Sequence, residues 1–251
     1  MKKTILLASF ILLGAVFGIY VFAAESSSTV TICEGKCYQG KSENGPWKEL
    51  KQGDKLSGDL YLKTDENSRL EIKSEKGTIR LAPKTVFKFF SKKKDENSVM
   101  VSIGSVWAKV KKTTDKKKFE VKTKTAVAGV RGTVFSVTAL MDESSLIKVY
   151  EGEVGVNNRP IIEKKNKEEE MKLAEAKKER KEIPPPFKEI SKKQWEEMVA
   201  KAMQMIKVSA EGDISAPIAF DLEEEKKDDW VAWNMSLDEK EEKKEEKRED
   251  K

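Results

Sequence analysis

An all-β domain, built as a compact antiparallel β-sandwich or β-roll of about ten short strands and followed by a C-terminal helical extension with a disordered charged tail, is the fold this sequence predicts. Three observations predict it. Between Val30 and Asn158 short runs alternate apolar and polar residues, and turn residues punctuate them at roughly eight- to twelve-residue intervals. No long helical pattern interrupts those runs. Beyond Asn158 the chain turns abruptly to lysine, glutamate, alanine and methionine, which form helices readily but leave little to bury.

The first element is an export signal. Lys2 and Lys3 precede an apolar stretch from Ile5 to Ala24, a basic region followed by a hydrophobic one. Val21 and Ala23 suit cleavage after Ala23, which makes residues 1–23 the signal peptide. The alternative is an uncleaved anchor, because about 20 apolar residues span a bilayer. Both readings place the rest of the chain outside the cytoplasm, in the periplasm or associated with the envelope. Cys33 and Cys37 then flank Glu34-Gly35-Lys36, where they could face each other across a tight hairpin and form a disulfide in an oxidising compartment.

The β domain is expected over residues 30–158. Its candidate strands are Asp59–Leu62, Ser68–Lys73, Thr78–Leu81, Thr85–Phe90, Ser98–Ile103, Ser105–Lys111, Lys118–Lys122, Thr133–Leu140, Ser145–Tyr150 and Glu153–Asn157. In the Ser105–Lys111 run Val106, Ala108 and Val110 point one way and Trp107, Lys109 and Lys111 the other, which reads as one buried face and one wet face.

Charge and composition narrow the function. The 251 residues hold 49 Lys and Arg against 44 Asp and Glu and no His. Without histidine, Ser-His or Cys-His nucleophilic catalysis, haem ligation by His and most zinc sites are excluded, and no cofactor is implied. Residues 29–158 carry 25 basic and 17 acidic side chains. Lys109, Lys111, Lys112, Lys116, Lys117, Lys118, Lys122 and Lys124 gather around one turn. That cluster is either a solvated, pairing-resistant strand edge or a site for an anionic lipid or cell-wall polymer. Export argues against nucleic acid, as does the lack of a stacking platform of aromatics.

The segment from Thr125 to Val137, with Gly129-Val130-Arg131-Gly132-Thr133-Val134-Phe135 at its centre, followed by Val149-Tyr150-Glu151-Gly152-Glu153-Val154, resembles the FecR domain. The likeness extends upstream through Trp47 to Leu56, Thr64 to Leu70, Ile79 to Thr85 and Gly104-Ser105-Val106-Trp107. The resemblance implies an all-β module outside the cytoplasmic membrane, used in signalling or as an interaction domain, with no catalytic residues to carry over. Its best-known members have a cytoplasmic region that acts on a sigma factor. Only Met1 to Thr4 precede the apolar stretch here, so the expectation is a stand-alone exported version. Gly129 and Gly132 should bracket a turn, with Arg131 either clamping backbone carbonyls or contacting a ligand.

The last third divides into four segments. Residues 159–190 read as a charged helix or linker ending in Pro184-Pro185-Pro186. Over 191–208 an amphipathic helix is predicted, since Trp195, Met198, Val199, Ala202, Met205 and Ile206 share one helical face after a cap at Ser191. It would pack on the β domain or engage a partner. Residues 209–236 contain Trp230 and Trp233, either a linear recognition element or a filler for a groove on their own domain. Residues 237–251 are nearly all Glu and Lys and read as a disordered or transiently helical tail. The leading function is therefore a non-enzymatic interaction, signalling or scaffold module that engages another envelope protein, and the alternative is a binder of an anionic envelope surface.

Overall fold

The structure, a computed structural model, describes residues 28–90, 98–112, 119–159 and 198–249. The expected signal peptide 1–23, residues 160–197 with Trp195, and Lys116, Lys117 and Lys118 lie outside the described residues.

Among the described residues seventeen strands form one continuous hydrogen-bonded network folded into two layers. In chain order they are β1 Ser28–Glu34, β2 Cys37–Gly40, β3 Trp47–Glu49, β4 Lys55–Leu56, β5 Leu60–Thr64, β6 Arg69–Ser74, β7 Gly77–Leu81, β8 Val86–Phe89 and β9 Ser98–Val110. There follow β10 Phe119–Lys122, β11 Ala126–Val130, β12 Thr133–Ala139, β13 Ser145–Glu151, β14 Glu153–Asn158, β15 Val199–Lys201, β16 Gln204–Val208 and β17 Ile218–Ala219. Two helices close the chain, α1 Leu222–Glu225 and α2 Asp229–Glu249.

One layer, sheet A, runs β4-β1-β6-β7-β9-β12-β13-β16-β17. The other, sheet B, runs β3-β2-β5-β8-β9-β10-β11-β14-β15. Pairing is antiparallel except between β9 and β10. The chain passes repeatedly from one layer to the other, β5 to β6, β7 to β8, β11 to β12 and β13 to β14. The long strand β9 lies in both layers: residues 98–103 pair in sheet B and 104–110 in sheet A. Gly104 makes that bend at φ +93, and a Cβ there would lie 2.6 Å from the Thr85 Cα, so only glycine fits.

The layers enclose one core. Leu62, Phe87, Val101 and Val121 from sheet B meet Leu70, Leu81, Val106, Phe135 and Ile147 from sheet A, all essentially without exposure. The alternation in the sequence predicts this inner face well, because each of these residues sits two positions from the next inward one.

Several expectations need correction. The predicted Ser98–Ile103 and Ser105–Lys111 strands are one strand, β9. In place of a helix over 191–208, the described part forms β15 and β16, with Met203 at φ 62 between them. The backbone edges of β13 and β14 require partners, and β16 and β15 supply them, so pairing outweighs helical periodicity. The Glu/Lys tail is helical through Glu249 as part of α2. Cys33 and Cys37 are free thiols. They flank a crossing between layers, not a paired hairpin: β1 belongs to sheet A and β2 to sheet B. The Cys33 thiol donates to the Leu50 carbonyl and the Cys37 thiol to those of Glu34 and Arg69. Burial, reinforced by the neighbouring Cys33, pushes the Cys37 thiol far above its ordinary value.

Candidate functional site

The outer face of sheet A is where this chain departs from a simple sandwich. Cross-strand register places Glu71, Arg80, Trp107, Ser136, Lys148 and Met205 in one row across β6, β7, β9, β12, β13 and β16. A parallel row holds Lys73, Thr78, Lys109 and Val134. Alternation alone assigns this face to solvent. Instead Arg80 is 0% and Trp107 1% exposed, because α2 lies across them.

Arg80 is the centre of the contact. Its Nε donates to Glu71 Oε2 at 2.6 Å, and its Nη1 donates to Asp238 Oδ1 at 2.8 Å and to the Asn234 carbonyl at 3.3 Å. Trp107 Nε1 donates to the other Asp238 oxygen at 2.9 Å, and the Thr31 hydroxyl donates to Glu71 Oε1 at 2.6 Å. Burial disfavours ionised Glu71, but hydrogen bonds from Thr31 and Arg80 and the charges of Arg80 and Lys73 outweigh it and hold its carboxyl below the usual range. Removing one member of such a buried pair costs about 3–5 kcal/mol, since the other charge is stranded.

Around this centre the seam is lined with charge pairs. Lys109 meets Glu242 at 2.8 Å, Lys148 meets Glu225 of α1 at 2.7 Å, Lys73 meets Glu241, and Arg69 meets Asp229. For Lys109 the cost of burial is exceeded by the Glu242 hydrogen bond and by Asp238 and Glu241, which raise its pKa. The apolar share is small: Trp107, Val134 and Val231, with Tyr150, Trp230 and Met235 packed against them. Tyr150 packs on Trp107 with centroids 4.2 Å apart and the rings tilted by 30°, and burial beside Glu225 drives its hydroxyl pKa well upward. Two buried donors, Arg80 Nη2 and Trp230 Nε1, have no hydrogen-bond partner among the described residues.

The structure distributes the sequence-predicted residues unevenly. Trp230 and Trp233 stack on each other at 5.4 Å, and the Arg69 guanidinium lies 5.0 Å from the Trp233 ring, so both belong to this seam. Ile206 is core, Met198, Val199 and Met205 are half-buried around β15 and β16, and Ala202 is exposed in the turn between them. They form no single helical face. Nor do the lysines form one surface. Lys109 faces α2 from sheet A, Lys122 pairs with Glu120 on β10 of sheet B, Lys124 pairs with Glu143, and Lys111 and Lys112 are exposed past the end of β9. Sequence reasoning missed Glu71, Arg80, Asn234, Asp238 and Glu241. The one available signal was Trp107, a large aromatic on a face read as wet.

The glycine motif lies at two chain reversals. Gly132 (φ +65) turns β11 into β12 and Gly152 (φ +81) turns β13 into β14, while Gly129 sits within β11 and Arg131 is exposed in the turn. A Cβ on Gly152 would lie 2.8 Å from the Gly132 carbonyl oxygen, and the Thr133 hydroxyl donates to the Glu153 carbonyl at 3.1 Å. The two turns therefore stack, with Val130 and Phe135 anchoring them in the core and Glu151 exposed beside them.

Elsewhere, an open cleft of about 620 Å³ between the β1–β2 and β5–β6 crossings is lined by Lys36, Lys63, Asp65, Asn67 and Lys84. Among the described residues no group of three His, Cys, Asp or Glu could hold a metal ion, and no helix is long and apolar enough to cross a membrane.

Residues 61–155, from β5 into β14, match the family described as FecR protein. No curated protein matches the chain. Two crystal structures of a "putative anti-sigma factor" from Parabacteroides distasonis are similar, at 17% and 18% identity with TM-scores of 0.43 and 0.42. The matches cover 65% and 66% of this chain but only 61% of each of those chains. The FecR match takes in the strands on either side of β9 and the stacked glycine turns that join them.

Proposed function

We propose that this protein is a non-enzymatic envelope protein whose FecR domain serves as an interaction and signalling module outside the cytoplasm. The observation that carries this reading is the outer face of sheet A, whose buried Arg80 and Trp107 are directed at another polypeptide segment. Its ionisable groups engage one another in pairs, an arrangement suited to holding a helix. The family match supports a regulatory role, and Lys2, Lys3 and the Ile5–Ala24 stretch support export. The partner in this reading is another envelope protein.

The test is crosslinked affinity capture of the full chain from the native envelope, beside fractionation of the cells. Recovery of a defined protein partner from the envelope fraction is the expected result. Retention in the cytoplasm, or a turnover activity abolished by one side-chain change with no partner recovered, overturns the reading.

A further inference from the structure

We infer that the outer face of sheet A is a docking seat for an acidic amphipathic helix of a partner protein, and that α2 occupies this seat in the free chain. The inference rests on the proposed role as a protein-binding module and specifies its surface and the chemistry of what binds there.

Charge sets the class of occupant. The seat presents Arg69, Lys73, Arg80, Lys109 and Lys148, and Glu71 is the acidic residue already committed to Arg80 within the sheet. A basic or neutral helix would leave the second side of Arg80, which is 0% exposed, without a counter-charge. The arrangement on α2 supplies the pattern to be matched: Trp230 and Trp233 at the start, then Asp238, Glu241 and Glu242. Positions three and four apart share a helix face, so one face carries the carboxylates that meet Arg80, Lys73 and Lys109, while Lys148 is met by Glu225 of α1.

The resident helix fits incompletely. Among the described residues Arg80 Nη2 is buried without a hydrogen bond, with Glu241 Oε2 3.8 Å away, and Trp230 Nε1 is buried without an acceptor. A helix that satisfied Arg80 Nη2 would hold the seat more tightly than α2 does. Most of the remaining contact is between ion pairs at the solvent margin, which exchange partners readily and weaken with salt. Tethering favours α2 through effective concentration, so displacement requires either a better-matched helix or a weakened α2.

The experiment uses the full chain and a labelled peptide of residues 221–249 as the acidic-helix probe. In one variant α2 is weakened by Asp238→Asn, Glu241→Lys and Glu242→Lys; in a second the seat is reversed by Lys73→Glu and Lys109→Glu. Far-UV circular dichroism establishes that each is folded. The α2-weakened chain should bind the peptide at least tenfold more tightly than the unaltered chain, with affinity falling at least tenfold between 50 and 500 mM salt. The seat-reversed chain should not bind it. If the folded α2-weakened chain binds this peptide no better than a control peptide carrying Asp238→Lys, Glu241→Lys and Glu242→Lys, the seat is overturned. Affinity indifferent to salt, or undiminished by the seat reversal, overturns it as well. A doubled mass by light scattering, reporting helix exchange between copies, would assign the seat to a second copy and overturn the partner. Peptide failure alongside successful envelope capture would reject the seat while leaving the module function standing.

Discussion

Arg80 on β7 and Asp238 on α2 are 158 residues apart in sequence and joined by a 2.8 Å hydrogen-bonded ion pair. Through the same guanidinium Asp238 is linked to Glu71, and through its other oxygen to Trp107. Arg80→Ala should therefore destabilise the protein by about 3–5 kcal/mol, measured by urea unfolding, because it strands two carboxylates. Arg80→Lys should recover only part of that loss, since one ammonium cannot reproduce the directed contacts to both carboxylates.

Trp107→Phe keeps most of the ring but removes the donor to Asp238. A hydrogen bond to a charged group contributes about 1.5–3 kcal/mol, so a loss in that range is expected from denaturant unfolding. Amide exchange in α2 should rise more than in the core strands, because the lost contact belongs to the helix seam.

The seam should loosen at both ends of the pH scale. Glu71 titrates below its ordinary 4.5 in the folded protein, so its contribution is present above that value and lost as pH falls through the folded pKa. Lys109 titrates above its ordinary 10.5, so its contribution is present below that value and lost as pH rises through the folded pKa. Hydrogen exchange of α2 followed against pH should show greatest protection between these limits. Protection that is flat into strong acid would contradict the role given to Glu71.

Gly152→Ala should destabilise by about 1–3 kcal/mol or more, since φ +81 is strained for any other residue and the added carbon meets the Gly132 carbonyl at 2.8 Å. Gly53→Ala, also at positive φ but with open space around it, should show only the backbone part of that cost. The difference between their unfolding midpoints measures the stacking of the two turns.

A chain ended after Asn158 should fail to fold as a soluble domain. It loses β15 and β16, with them buried Ala200, Ile206 and Val208, and leaves the edges of β13 and β14 open to other chains. A chain ended after Asp228 keeps every strand and should remain soluble, though it exposes Trp107. Size-exclusion chromatography separates the two outcomes.

The β domain was legible because its inward residues alternate, as in Val106, Ala108 and Val110, and because the glycine turns carry a recognisable pattern. The seat was not. Arg80 and Glu71 look like ordinary outward residues of exposed strands, and Asp238 opens a run in which every residue is charged, so nothing local distinguishes the one that is buried. Ile206 and Val208 satisfy a two-residue period as well as a helical one, and the unpaired edge of β13, which the sequence does not reveal, decided between them. The two tryptophans were legible as residues that need a surface, but not which surface.

The shared strand β9 also governs how the chain acquires its fold. Its neighbours β7 and β8 precede it, and β10 and β12 follow it, in one layer and then the other. Neither the early nor the late half of the chain can complete a layer alone, so closing either layer requires β9 together with strands from both halves. Assembly is therefore one cooperative, non-local event, in which chain topology rather than any local element sets the pace.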